Sequence, residues 1–353
     1  MPHISIKPAW TIQHDDGTTL PPRLIELLVQ VQAHGSLLAA SQQLGLSYRH
    51  AWDLVRQGEA QFGRALLHME RGRGSTLSPL GEKLAWADQR ITARLKPALE
   101  SLASELATEI ERAGEGLGPS LRVHASHGFA IEKLIARLAA DGQRVELTYG
   151  SSTASAAALH DGACDAAGFH IPEGPMQAAA LAHYGRWLAG EEFTVIDIAR
   201  RRQGLMVAAG NPKKIYGLAD LARSGVRFIN RQAGSGTRFL LDGLLAAEGI
   251  ASEQVSGYEH GEYTHAAVAA YVASGMADAG FGLEPPARQF KLDFLPLARE
   301  RYFLLCRTSL IGATTVAGVL QALQDPAFRA ELDTLPGYDA SIAGRVTPLA
   351  GAF

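Results

Sequence analysis

From about residue 121 onward the chain alternates between two periods. Short apolar runs at Leu121–Ala125, Arg144–Tyr149, Asp165–Phe169, Phe193–Ile198, Leu205–Ala209, Arg227–Ile229, Ala277–Phe281 and Tyr302–Cys306 are separated by stretches of helical spacing at Phe129–Ala140, Ala154–His160, Leu218–Ala222, Thr237–Glu248, Thr264–Ser274 and Thr315–Leu323. Parallel strands need long crossovers, so this alternation predicts a parallel or mixed sheet with helices on both faces. Ligands of such sheets sit beyond the carboxyl ends of strands, beside helix starts. The length leaves room for two lobes here and a separate domain in front.

The front of the chain reads differently. Arg23–His34, Leu37–Leu44 and Tyr48–Phe62 have helical spacing, with Ser36 and Ser47 at N-cap positions and Gly35 and Gly45 as stops. Ala65–Glu70 and Thr76–Leu77 read as a hairpin closed by Arg71–Ser75, and Pro79 suits the first turn of the next helix. From there Leu84, Ala87, Ile91, Leu95, Leu99, Leu102, Leu106 and Ile110 step by threes and fours, a seam for a partner helix or for packing within the same domain; Pro97 should kink it. Three helices, a hairpin and a long helix predict an α+β winged helix-turn-helix with a dimerisation helix. The expected division is 1–79 for the DNA-binding domain, 80–113 for the dimerisation helix, 114–120 (GEGLGPS) for a linker and 121–353 for the two-lobed α/β domain.

A net charge of −3 excludes a chain-wide basic coat, yet the segment Leu44–Lys96 holds nine Lys/Arg against five acids. Around apolar Ala51, Trp52, Leu54 and Val55, the second of the paired helices carries Ser47, Tyr48, Arg49, His50 and Arg56, the split a recognition helix needs: one face fixed in the domain, polar residues free for base edges and phosphates. Arg71 and Arg73 flank Gly72 at the hairpin tip, where a wing meets phosphates or the minor groove. The plain alternative is a solvated basic face. Two distant cysteines argue against disulfides and thiolate metal sites, and no N-terminal leader or long apolar span is apparent, which fits a cytoplasmic protein without a membrane partner.

Four loops in the second part join small or hydroxyl residues to a helix start: HASHG (124–128), YGSSTAS (149–155), RQAGSGTR (231–238) and EYTH (262–265). Free backbone N–H groups and the positive dipole end make such places anion sites. Each hydroxyl alone is equally a helix cap. His127, His170 and His265 are possible donors or ordinary packing groups, and Arg238 either forks onto an anion or braces Asp242 one turn on. The pattern calls for no metal and no cofactor. No GxSxG elbow, Walker loop or assembled triad marks an enzyme.

SYRHAW (47–52) with MERGRGSTLSPLGEKL (69–84) resembles the DNA-binding domain of molybdate-dependent ModE regulators and, more loosely, LysR-type regulators. The wing is shorter than in ModE relatives and no paired small β-barrel molybdate modules follow, so anion sensing falls to the α/β part. There SHG (126–128), YGSSTA (149–154), GACDAAGFH (162–170), RRQGLMVAAGNP (201–212), FINRQAGSGTRFLLD (228–242) and EYTHAAVAAYVASGMADAGFG (262–282) resemble the type II periplasmic-binding-protein fold, in particular molybdate-binding-protein-like domains attached to regulators. The resemblance implies two lobes joined by crossovers near Ile196–Val207 and Gly282–Ala287. It implies Ser126, Ser151, Ser152, Ser235, Thr237 and Thr264 as ligand hydroxyls; His127, Arg238 and His265 are further ligand candidates that the loops themselves offer. Gly128 stands where such domains more often have an acidic residue.

The expectation is a transcriptional regulator whose partners are double-stranded operator DNA, a second copy of itself (a homodimer, with tetramers left open) and a small anion. Molybdate or tungstate leads; formate or another small carboxylate is the alternative, and an enzyme of molybdenum-cofactor metabolism the remote one.

Overall fold

The computed structural model describes residues 4–13, 15, 17–70, 74–113, 119–189 and 192–353. The chain forms two compact units, one spanning Lys7–Leu95 and the other built mainly from Lys96–Phe353, with the boundary inside a long helix.

The first unit packs α1 (Pro22–His34), α2 (Leu37–Gln43) and α3 (Tyr48–Phe62) around Leu24, Leu28, Val31, Leu54, Val55 and Leu66. Ser36 and Ser47 cap α2 and α3 as expected, accepting from Ala39 N and His50 N. α1 and α3 cross closely at Gly58, where a Cβ would collide with Leu24 Cδ2. The strands β1 (Leu67–Glu70) and β2 (Gly74–Leu77) pair antiparallel from Leu67↔Leu77 to Glu70↔Gly74, making the wing; its tip, residues 71–73, and most of the expected linker, residues 114–118, lie outside the described residues. α4 (Pro79–Ala113) then runs on through Pro97 as one 35-residue helix. Its start can approach the wing because residue 81 is glycine: a Cβ there would run into the Leu66 carbonyl oxygen.

The second unit has the expected two-lobed α/β architecture. In chain order it comprises β3 (Leu121–Ser126), α5 (Phe129–Ala140), β4 (Val145–Gly150), α6 (Ser152–His160), β5 (Ala166–Pro172), α7 (Gln177–Leu188), β6 (Phe193–Val207), β7 (Phe228–Arg231), α8 (Gly236–Ala247), β8 (Gly261–Glu262), α9 (His265–Ala273), β9 (Ala279–Leu283), α10 (Glu284–Gln289), β10 (Asp293–Arg307), α11 (Thr314–Gln324), α12 (Pro326–Asp333), β11 (Tyr338–Asp339) and β12 (Val346–Pro348). The sheet order is β4-β3-β5-β10-β6-β9-β7-β8, with β11 and β12 also on β6. β3 is parallel to β4 and β5, and β7 is parallel to β8 and β9, so each lobe is a parallel sheet. Between them β6 and β10, 15 residues each, pair antiparallel from Phe193↔Arg307 to Val207↔Asp293 and pass from one lobe to the other.

This corrects two readings. The crossover near Ile196–Val207 is present, but Phe193–Ile198 and Leu205–Val207 are one unbroken strand and not two, because the polar run Arg200–Arg202 between them is paired: Arg200 with Glu173, Arg201 with Glu300, Arg202 with Glu284. The second crossover is β10, not Gly282–Ala287, whose prolines open the short helix α10. Along α4, Leu84 is buried in the first unit's own core, while Leu95, Leu102, Leu106 and Ile110 are exposed. Among the described residues no single helix is long and apolar enough to cross a membrane.

Candidate functional site

On α3 the buried face is Ala51, Leu54, Val55 and Gly58, leaving Ser47, Tyr48, Arg49, His50 and Arg56 exposed. The helix is thus held by one side and presents cations on the other. Arg71 and Arg73 fall outside the described residues.

In the second unit, four helix starts meet at one pocket. β3 runs out at Ser126 into α5, β4 into α6, β7 into α8 and β8 into α9. The pocket is lined by Ser126, His127, Gly150, Ser151, Ser152, His170, Arg231, Gln232, Ser235, Gly236, Thr237 and His265, and encloses about 10 Å³. That is about the room one water molecule needs.

Of the residues expected there, Ser126, His127, Ser151, Ser152, Ser235, Thr237 and His265 line the pocket. Arg238 and Thr264 are not among its walls. The Arg238 guanidinium lies 4.3 Å over the Tyr258 ring and 3.5 Å from Glu259, while Asp242 accepts from Tyr258 Oη instead. Thr264 Oγ1 caps α9 by accepting from Ala267 N. Ser151 and Ser235 cap α6 and α8 in the same way. A capping hydroxyl accepts with its oxygen and keeps its own proton to donate, so cap and ligand roles are compatible in these two. The Ser126 hydroxyl is buried and has no partner among the described residues.

Sequence reasoning missed the strongest group. Arg231 ends β7 among apolar residues, buried, with Nε on Glu262 O and Nη2 on Tyr263 O. Its Nη1 has no hydrogen-bond partner among the described residues. Burial, with Arg201 repelling it, pulls its pKa down to about 9, still charged at neutral pH. Only the termination of β7 at a hydroxyl-bearing loop hinted at it.

Behind the pocket lies a buried polar cluster between the crossover strands. Arg201 Nε donates to Glu300 Oε1 at 2.5 Å, and Gln203 Nε2 donates to Glu300 Oε1 and Thr237 Oγ1. A Cβ at Gly128 would lie 3.0 Å from Arg201 Nη1, so position 128 lies close against this cluster. Burial pushes the His170 pKa down to about 4 and the His265 pKa well below its ordinary value, so both rings are neutral. His265 Nδ1 accepts from Leu283 N, which leaves its proton on Nε2.

Beyond His127, outside the pocket, the surroundings are charged. Glu100, His127 and Glu132 bring one ligand atom each within 4.8 Å of one another, but Lys96 already supplies a cation there, 2.5 Å from Glu132.

A family model for the PBP superfamily domain matches residues 135–324, more than half of the chain's 353 residues. The chain belongs to the PBP superfamily. Ahead of the PBP domain, residues 22–82 match the family model for bacterial regulatory helix-turn-helix proteins of the lysR family. The chain is 35% identical over 198 residues to the uncharacterized protein YvgK of Bacillus subtilis (strain 168), covering 56% of this chain and 64% of that protein. It is 30% identical over 118 residues to the molybdenum-pterin-binding protein MopB of Rhodobacter capsulatus, covering 32% of this chain and 43% of that protein. It thus spans less than two thirds of either of these curated relatives. The full-length CbnR structure complexed with its target DNA aligns over 85% of this chain and 98% of its own, at 19% identity and a TM-score of 0.38.

Proposed function

We propose that the chain is a cytoplasmic DNA-binding transcriptional regulator whose PBP domain senses a small oxyanion, molybdate or tungstate, and alters operator binding accordingly. The observation that carries this reading is Arg231 Nη1, a buried cationic donor at a pocket where four helices start. Leaving such a donor unmatched costs on the order of 1–3 kcal/mol, a cost that an anion in the pocket removes. Donors reach the pocket from several sides: Ser126 from the β3 end, Ser151 and Ser152 from α6, Ser235 and Thr237 from α8. That surround suits a tetrahedral ion, which has an acceptor in every direction. The likeness to a protein named for molybdenum-pterin binding points the same way.

One observation favours the second reading, formate or another small carboxylate. Arg231 presents a guanidinium edge, which matches a planar carboxylate better than neutral hydroxyls do. A binding role accounts for these residues without catalysis.

The exposed stripe Leu95, Leu102, Leu106 and Ile110 on α4 supports a homodimer, which would set two reading helices on a pseudo-palindromic operator. A thermal-shift series of the purified protein with molybdate, tungstate, sulfate, phosphate and formate tests the sensing reading. Selective stabilisation by one or two of these is the expected result, and no shift with any of them refutes it.

A further inference from the structure

One residue, His127, stands between the pocket and the long helix. His127, which lines the pocket, has Nε2 at 2.9 Å from Glu132 Oε1 and 3.8 Å from Glu100 Oε2. Lys96 Nζ closes the group from the other side, 2.5 Å from Glu132 and 3.7 Å from Glu100. Lys96 and Glu100 are one turn apart on α4; Glu132 stands in the first turn of α5. Against the opposing effect of burial, His127 and Lys96 pull the Glu132 pKa down to about 2.

The same stretch of α4 grips the next strand. Ser101 Oγ accepts from Tyr149 N at 2.9 Å, and Ser104 Oγ accepts from Leu147 N at 2.8 Å. β4 is the edge of the sheet, and these serines take up backbone donors that no further strand pairs. One residue beyond Tyr149 begins the pocket wall Gly150–Ser152, and the Tyr149 ring meets His127 edge-on at 4.9 Å. Two of the pocket's loops are therefore each one contact from residues 96–104 of the helix that continues into the DNA-reading unit.

We propose that Lys96, Glu100, Glu132 and His127 form the coupling element between pocket and helix. The proposal rests on the reading of the pocket as an anion site. An anion beside His127 competes with Glu132 and Glu100 for the Nε2 side of the ring. When the ring turns toward the ligand, Glu132 loses a partner and draws more fully on Lys96, and Glu100 is released. The anion then has different affinities for two arrangements of the α4 segment, which is what coupling requires. Lys96 and Glu100 are positioning residues here: the contacts they make are with His127, Glu132 and each other, and neither lines the pocket.

The test is an operator titration of the full chain with and without saturating molybdate, and separately formate, paired with calorimetry of the same anions. Wild type should change operator affinity at least about fivefold with the anion it binds. Glu100→Gln keeps shape and removes the charge; it should bind that anion within about threefold of wild type, yet its operator affinity should respond less than twofold. Lys96→Met should behave alike. Ser104→Ala, which loosens the helix without touching a charge, should keep the wild-type response. A full response in Glu100→Gln and Lys96→Met, equal loss in Ser104→Ala, or bound anion without any operator response in wild type overturns the coupling alone. Wild type that binds none of the anions overturns the sensing reading, and the coupling with it.

Discussion

Arg201 Nη2 donates to His170 Nδ1 at 2.9 Å. A guanidinium can only donate, so Nδ1 accepts and the ring's one proton sits on Nε2. That Nε2 is 3.5 Å from Glu300 Oε2 and lies against Gly236 at the start of α8, where a Cβ would be 2.5 Å away. A strand of one lobe, a crossover strand and a helix start of the other lobe thus meet on one imidazole.

Gly236→Ala should displace His170 toward Glu300 and disturb the pocket wall. Anion affinity should fall tenfold or more by calorimetry, with a loss of roughly 1–3 kcal/mol in unfolding free energy from overpacking. Unchanged affinity would mean that this wall does not touch the ligand.

Arg231→Met should abolish the anion-induced rise in melting temperature. It should also lower the melting temperature without anion, because the Glu262 and Tyr263 carbonyls lose a donor and the buried Glu262 and Glu300 lose a nearby cation, so the anion-induced shift is the readout that reports binding. A mutant that still shows the wild-type anion shift excludes Arg231 as the ligand's charge partner.

Acid should destabilise the PBP domain through its neutral histidines. His170 has a folded pKa of about 4 against an ordinary value of 6.5, so between these values the unfolded chain binds the extra proton. Stability is therefore complete above about pH 6.5 and falls as pH drops toward 4, by roughly 2 kcal/mol at pH 5 from this residue. His265, shifted in the same direction, adds to the fall. Denaturant melts at pH 7 and pH 5 measure it, and His170→Gln should shrink the difference.

Changing Arg49 and Arg56 together to alanine should weaken operator binding without changing the melting temperature, since both are exposed. A base-reading arginine should cost about 1–3 kcal/mol and relax specificity, whereas a phosphate contact should lower the salt slope by about one. Gel-shift affinities over a salt series separate the two, and wild-type binding rules out α3 as the reader.

Leu102→Asp with Ile110→Asp should abolish dimers in sedimentation velocity, because charge would be buried in the stripe. The single chain leaves both side chains exposed, so its own folding should hardly change. A monomeric wild type would remove the basis for the dimer.

The order of strands and helices in the PBP domain, the caps at Ser36 and Ser47 and the split faces of α3 were legible in the residues, because period and capping are local properties. Several pocket hydroxyls were legible too, as strand-to-helix loops in an α/β pattern must share one edge of the sheet. The continuity of β6 and β10 was not, for Arg200–Arg202 and Glu300 look like loop until their partners Glu173, Glu284 and each other are known. Arg231 was invisible for a related reason. A strand-end arginine is ordinary until folding buries it and leaves one nitrogen without a partner among the described residues.

The sequence by itself determined which segments become helix or strand and where hydroxyls gather, since φ/ψ preference, side-chain period and capping act within a few residues. Only the tertiary structure decided which polar atoms are buried together. His127 beside Glu100 and Glu132, Arg201 on Glu300 and the unmatched Nη1 of Arg231 bring together groups up to 99 residues apart. Their charge states follow from desolvation and from neighbours that no local pattern specifies.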